Sequence, residues 1–353
     1  MIPQKELYVM AMLAFGSPLE RRGLVAVMRM VATAVGTRPF DGDRADLVRM
    51  FAGLESCSGC HGFPESLDFS DLTGDIEPWA DGADGIAEIM KCLPGDKQRL
   101  EAVHAGLLVA LYSIEQDPVG LSAARWISKE LGASDSMVRT ATLTAGVHSH
   151  AAQADLFRRF MSERIGVPVD EVRKFASRKD LGAITAPALN DRYHRLLEQA
   201  PDGSLGGEMR RFYSDAPFAV PGTPGVPLPV EFLGSHDVHH VLAGYDTMAH
   251  GEVYTAVFNA GNAAAGIGWL SVVLLQWHQG IKIGVFNPAH AHLDPAIVAD
   301  AAQRGAATHV DVYSYEWDWM SLLERPLDEV RGSLGIPPGG TVLAGATWNP
   351  KSE

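Results

Sequence analysis

The sequence predicts an all-α protein of two helical domains, and three observations point there. Apolar residues recur at helical spacing along most of the chain, strand signals are few, and helix start and stop residues bracket the apolar segments. A chain of 353 residues is long enough for two domains, and 46% hydrophobic with 20% charged residues suits a globular protein with a substantial core.

Residues 19–35 mix apolar and basic positions at helical spacing and predict the first helix. Leu100, Val103, Leu107, Leu108, Leu111 and Ile114 form an apolar stripe that predicts another, and further helices are expected near 119–131, 136–164, 168–177 and 186–199. The long helical run ends between 165 and 185, which places a boundary there and divides the chain into residues 1–180 and 181–353. Ala216 to Pro229 carries five prolines (Pro217, Pro221, Pro224, Pro227 and Pro229) and reads as an irregular arm leading into the next helix. Ala263 to Leu275 is the most apolar later stretch, yet well short of the roughly 20 residues a spanning helix needs. It is expected to be buried or to dip into a membrane, and the wall of an apolar cavity is one use for it. Asp294-Pro295 supplies a cap and a first-turn proline for a helix that Gly305 is expected to close.

The densest chemistry lies in His236-Asp237-Val238-His239-His240, followed after eleven residues by Glu252. His236 and His240 lie one turn apart on a helix and can face one ion together. A straight helix would carry Glu252 roughly 18 Å beyond His240 at about 1.5 Å per residue, so one helix cannot close the site. Gly244 can end the helix in a left-handed conformation, and Asp246 or Thr247 can cap its successor. The result is an αα-hairpin that returns the carboxylate to the level of the imidazoles. Asp237 is turned about 100° from His236, so it is either a ligand or a group holding a proton or water behind one. His239 points elsewhere.

This string resembles the signature of the coenzyme Q biosynthesis protein 4 family, helical proteins of ubiquinone assembly. Asp202-Gly203-Ser204-Leu205-Gly206 and Phe212-Tyr213 upstream, with Tyr315, Trp319, Pro326, Arg331 and Leu334-Gly335-Ile336 downstream, extend the similarity over about residues 185–338. By position, the family's metal ligands fall on His236, Asp237, His240 and Glu252. The resemblance implies a metal site beside an apolar tunnel that holds a polyprenyl chain, on a protein at the membrane surface. It also implies association with quinone-modifying enzymes, and removal of a carboxyl group with addition of oxygen at ring carbon 1 of an isoprenoid quinone precursor. Zinc is the metal usually proposed there. Zn²⁺ has no redox chemistry, however, and two histidines with carboxylate suit Fe²⁺ or Mn²⁺ equally. Residues 93–137 are loosely similar to tellurite-resistance TerB-like helical domains.

Two other functions are compatible with these residues. One is a non-catalytic scaffold, alone or as a homo-oligomer, in which the metal pins the hairpin and the cavity presents prenyl lipids to partner enzymes. The other is a metal-dependent phosphohydrolase of the HD type, which shares the His236-Asp237 doublet. That class needs a separate upstream His and a downstream Asp, for which His194 and Asp300 or Asp311 are candidates, and Glu252 has no role in it.

A net charge of -14 argues against nucleic acid as a partner and against docking on anionic lipid through a basic field. Any membrane contact should be local and apolar. Lys5 is followed at once by Glu6, and the apolar run Leu7 to Phe15 lacks a small-residue cleavage site, so the expected location is the cytoplasm or the inner face of its membrane.

Cys57-Ser58-Gly59-Cys60-His61 has the spacing of c-type haem attachment, with Met90 as a conceivable opposite ligand. Haem attachment normally requires export, so a redox or metal-binding Cys pair, or two idle thiols, are the stronger expectations. Cys92 is an unpaired third cysteine. Of the other histidines, His104 lies on the apolar stripe and reads as a core residue, and His148 and His150 cannot share a helical face. His250 sits on a different face from Glu252, and one of His278, His290 and His292 is a candidate to line the cavity. Trp317 and Trp319 read as packing residues.

Overall fold

The computed structural model describes residues 17–52, 82–134, 138–139, 143, 149–165, 168–170, 187–216, 218–224, 226, 230–263, 266–283, 287–314, 316–342 and 346–349. Among these the regular structure is helical, and the β-type pairing seen is an isolated bridge between Ser204 and Pro326. The all-α expectation holds. The Cys57-Cys60-His61 motif, the run Leu7 to Phe15, and most of 165–185, where a domain boundary is expected, lie outside the described residues.

The first helices are α1 (Pro18–Ala32), α2 (Gly42–Ala52), α3 (Ala83–Cys92), α4 (Asp96–Leu111), α5 (Pro118–Glu130) and α6 (Ser149–Ile165). Ser17 starts α1 with a reciprocal cap: its hydroxyl accepts from the Glu20 amide at 3.2 Å, and the Glu20 carboxylate accepts from the Ser17 amide at 2.7 Å. α1 packs against α2, α3, α4 and α5. The α4 stripe is buried as expected, from Val103 through Leu111, with His104 inside it. Asp117 caps α5 through the Gly120 amide and receives both terminal nitrogens of Arg38, at 2.8 and 2.7 Å.

The later helices are α7 (Pro187–Gln199), α8 (Leu205–Asp215), α9 (Val230–Ala243), α10 (Ala249–Asn262), α11 (Gly266–Val273), α12 (Pro295–Ala307) and α13 (Leu327–Leu334). α10 is central and packs against α9, α11 and α12. α11 runs into a π-helical turn, Leu274–His278. The apolar stretch that holds α11 is buried throughout its described length. No helix among the described residues is long and apolar enough to cross a membrane.

Asp294 caps α12 as expected, its carboxylate accepting from the Ala296 amide at 2.8 Å. Gly305 does not end α12, which continues to Ala307. Its hydrogen faces another helix instead: a Cβ built there would lie 2.0 Å from the Phe258 carbonyl, and one on Gly261 would lie 2.2 Å from the Ala302 carbonyl. Two glycines thus let α10 and α12 approach backbone to backbone, a long-range demand that a stop signal in the sequence only resembles.

Earlier and later helices pack together at several places, α12 against α2 and α11 against α6 among them, and the π-turn touches the end of α4. Gln279 Nε2 donates to the carbonyls of Leu111 and Ser113, both at 3.0 Å, while the His278 ring bridges the carbonyls of Ala291 and Tyr112. A π-turn shifts the helical register by one residue, which aims these two side chains at the orphan carbonyls closing α4. His278 is therefore a joint between the halves, and neither it nor His290 or His292 lines the cavity described below.

Gly305→Ala is expected to destabilise the protein by about 1–3 kcal/mol through overpacking. Gly332→Ala, on a helical surface with nothing within 4 Å, should be neutral or stabilise by about 0.5–1 kcal/mol. Urea denaturation of the two variants beside wild type checks the contrast.

Candidate metal centre

α9 ends at Ala243, and Gly244 reverses the chain with φ +76°, the left-handed value expected of it. The Gly244 amide closes on the His240 carbonyl at 2.7 Å. The start of α10 falls one or two residues later than the sequence expectation. Met248, not Asp246 or Thr247, occupies the cap position, and Asp246 reaches forward to accept from the Met248 amide at 2.9 Å. Glu252 then falls in the first turn of α10, level with the histidines of α9.

Three atoms converge there. His236 Nε2 lies 3.4 Å and His240 Nε2 3.6 Å from the same oxygen, Glu252 Oε2, and all three donor atoms lie within 4.8 Å of one another. Each is buried, and none makes a hydrogen bond. Buried polar atoms left unpaired are costly, so three together call for an occupant. Two donors each about 2.0–2.1 Å from a tetrahedral ion lie about 3.4 Å apart, so these separations fit a metal. His236, His240 and Glu252 therefore form a group able to hold a metal ion.

Each imidazole is fixed from behind. Carboxylates and carbonyls only accept, so His236 donates from Nδ1 to Asp237 Oδ1 at 3.1 Å, and His240 donates from Nδ1 to the Asp246 carbonyl at 2.9 Å. Both rings then present Nε2 lone pairs to the centre. The Asp237 oxygens are engaged by His236 and, at 2.8 Å, by the Tyr213 hydroxyl, and Asp237 is not one of the three converging residues. Phe212 packs against His240 at 5.7 Å between ring centres, and the edge of Trp269 meets His236 at 5.6 Å.

Charge balances within this group in the absence of metal. Burial works against protonated His236, but its hydrogen bond to Asp237 and the negative charges of Glu252 and Asp237 beside it outweigh that and raise its pKa to about 9. Burial works against ionised Glu252 in turn, and His240 and His236 outweigh it, holding the carboxyl well below its ordinary range.

A cavity of about 630 Å³ opens beside the centre, within the range of small-ligand sites. His236, Asp237, Glu252 and Thr247 are on its wall, which is otherwise apolar: Phe218, Pro221, Phe232, Leu233, Trp269 and Trp277 among others. No lysine or arginine is among its described lining residues. His240 is wholly enclosed beneath it. The proline-rich arm is irregular where described, and it forms one side of this cavity through Phe218, Ala219, Pro221, Pro224 and Val226.

The ligands of a phosphohydrolase do not assemble. His194 bonds to the Pro221 carbonyl, Asp300 sits near Tyr245 and Arg304, and Asp311 accepts from the Tyr313 and Ser314 amides. None joins the group of three. His250 pairs with Asp246 at 3.3 Å, away from Glu252's partners, as its face on α10 requires. Trp317 stacks on His239 and Trp319 meets the edge of Tyr193, both as packing residues.

Several supports were not visible in the sequence. Thr255, one turn after Glu252, places its hydroxyl 3.1 Å from His240 Nδ1. Arg331 donates to the carbonyls of Leu242 and Val241, and Arg304 to that of Ala243, at 3.1, 2.8 and 2.7 Å. The amides of Thr341 and Val342 take the Gly244 carbonyl. Comparison with protein-family models and with curated proteins found no match for this chain.

The pH dependence follows from these shifts. A raised His236 contributes stability in full below its ordinary 6.5 and loses it as pH rises to about 9; a lowered Glu252 contributes above its ordinary 4.5 and loses it as pH falls. The metal-free protein should therefore weaken between pH 6.5 and 9, by up to about 3 kcal/mol at about 1.4 kcal/mol per pKa unit. Metal must displace the His236 proton, so apparent affinity should rise about tenfold per pH unit over that interval. Chelator-treated protein unfolded in urea, and metal titrations at matched pH, measure the two opposite slopes.

Proposed function

We propose that this chain binds one divalent metal ion through His236, His240 and Glu252, and that the ion takes the head group of a prenylated aromatic acid or quinone precursor whose tail begins in the apolar cavity. The observation that carries this is the convergence of three buried donor atoms that make no hydrogen bond, His236 and Glu252 on the wall of an otherwise apolar cavity and His240 beneath it. Three protein ligands with a side facing a cavity are the arrangement of a site that engages a small molecule, whereas purely structural zinc is closed by four. The similarity to the coenzyme Q biosynthesis protein 4 family names the chemistry that suits such a cavity.

With no lysine or arginine on the described wall, and with His236 neutral once it binds metal, an anionic head group would have the ion to neutralise it. A bound divalent ion would supply Lewis acidity toward a phenolate or carboxylate, and iron or manganese would add redox capacity. The residues of this chain do the rest. Trp269, Trp277 and Phe232 would give the head group an apolar surround, and Phe218, Ala219, Pro221, Pro224 and Val226 would line the start of the tail. Loss of carbon dioxide leaves negative charge on a ring, and a dry cavity strengthens whatever stabilises that charge. The alternative of a lipid-presenting scaffold shares the site and differs in lacking turnover.

Purified protein is expected to carry about one divalent ion per chain by mass spectrometry of the metals, and His240→Ala and Glu252→Gln to carry little or none. Stoichiometric metal persisting in both variants would remove the assignment. Organic extraction should recover a prenyl lipid, and turnover of a carboxylated quinone precursor distinguishes catalyst from scaffold.

A further inference from the structure

Behind His236 runs a chain of hydrogen bonds whose direction is dictated by chemistry. Asp237 can only accept, so Tyr213 donates its hydroxyl proton to Asp237 Oδ2 at 2.8 Å. The Tyr213 oxygen is then the acceptor for Tyr193, whose hydroxyl lies 2.8 Å away. The other carboxylate oxygen, Oδ1, accepts from His236 Nδ1 at 3.1 Å. Tyr193 is fully buried and Tyr213 nearly so, and they come from α7 and α8, which pack against each other and against α9. Asp237 is thus held by two other helices with both oxygens in use, and it stands outside the three converging donors.

We propose that Asp237, which the family resemblance would make a metal ligand, is instead a positioning residue that, with Tyr213 and Tyr193 behind it, locks His236 in the tautomer presenting Nε2 to the ion. This rests on the metal site proposed above. The two histidines are supported unequally: His240 leans on a neutral backbone carbonyl, His236 on a carboxylate. A carboxylate partner makes an imidazole the more basic ligand, and loss of such a partner typically costs about 10–100-fold in metal affinity. Tyr213 keeps the carboxylate turned toward His236 and off the ion.

Cobalt(II) alone is the probe, because its visible absorption reports coordination number and its titration reports affinity. Wild type is expected to take one Co²⁺ per chain. Glu252→Gln, which removes a ligand, should change band intensity as well as affinity and so shows what ligand loss looks like. Asp237→Asn should keep the wild-type band pattern while binding about 10–100-fold more weakly. Tyr213→Phe, which removes one buried hydroxyl and preserves the ring, should keep the pattern and weaken binding about tenfold, with helical circular dichroism unchanged. An Asp237→Asn spectrum that changes as Glu252→Gln does would make Asp237 a ligand and overturn the proposal. Wild-type affinity in both Asp237→Asn and Tyr213→Phe would overturn it too. Failure of wild type to bind Co²⁺ at all would instead bring down the metal site itself.

Discussion

The reversal between α9 and α10 depends on where the last carbonyls of α9 find donors. A helix ends with carbonyls that have no partner of their own, and this end is buried. Arg331 takes Val241 and Leu242, Arg304 takes Ala243, and the amides of Thr341 and Val342 take Gly244. Arg304 is completely enclosed and also donates to the Pro337 carbonyl. Burying a guanidinium is costly, and here the carbonyls of Ala243 and Pro337, the Tyr245 hydroxyl and the Asp300 carboxylate at 3.9 Å offset that cost. The turn they fix sets the distance from Glu252 to the imidazoles, so the candidate metal centre rests on two arginines that never touch it.

The same logic of satisfied and unsatisfied groups shapes the centre itself. Behind the two imidazoles each Nδ1 has a partner: His236 has Asp237, itself held by Tyr213, and His240 has Asp246 and Thr255. The atoms in front have none. That asymmetry is what separates a binding site from a polar network inside a core, where both sides would be paired. The surrounding aromatic rings sharpen it, since Phe212 against His240 and Trp269 against His236 replace polar neighbours with apolar ones and lower the local dielectric.

Much of this was legible locally. The helix periods of residues 100–111, the cap and proline opening α12, the irregular arm and the break at Gly244 all follow from propensity and spacing. Gly305 misleads for an instructive reason. Glycine ends helices and also lets helices touch, and only the presence of the Phe258 carbonyl beside it tells the two apart. Asp237 is ambiguous in the same way, because a carboxylate next to a histidine can turn toward an ion or toward the histidine, and Tyr213 supplies the direction.

What the sequence determined by itself was the set of donors and their registry: two imidazoles one turn apart, a glycine that reverses the chain, and a carboxylate placed to return to them. These are consequences of the helical rise and of backbone freedom at one residue, and both act over a few positions. Only the tertiary structure decided which groups stand behind those donors and what walls the cavity in front. The arginines reach back 61 and 89 residues to α9, and Trp277 and Phe218 meet the same cavity from separate segments. Contacts of that range leave no period in the chain, because they are set by which helix faces pack together rather than by spacing along any one of them.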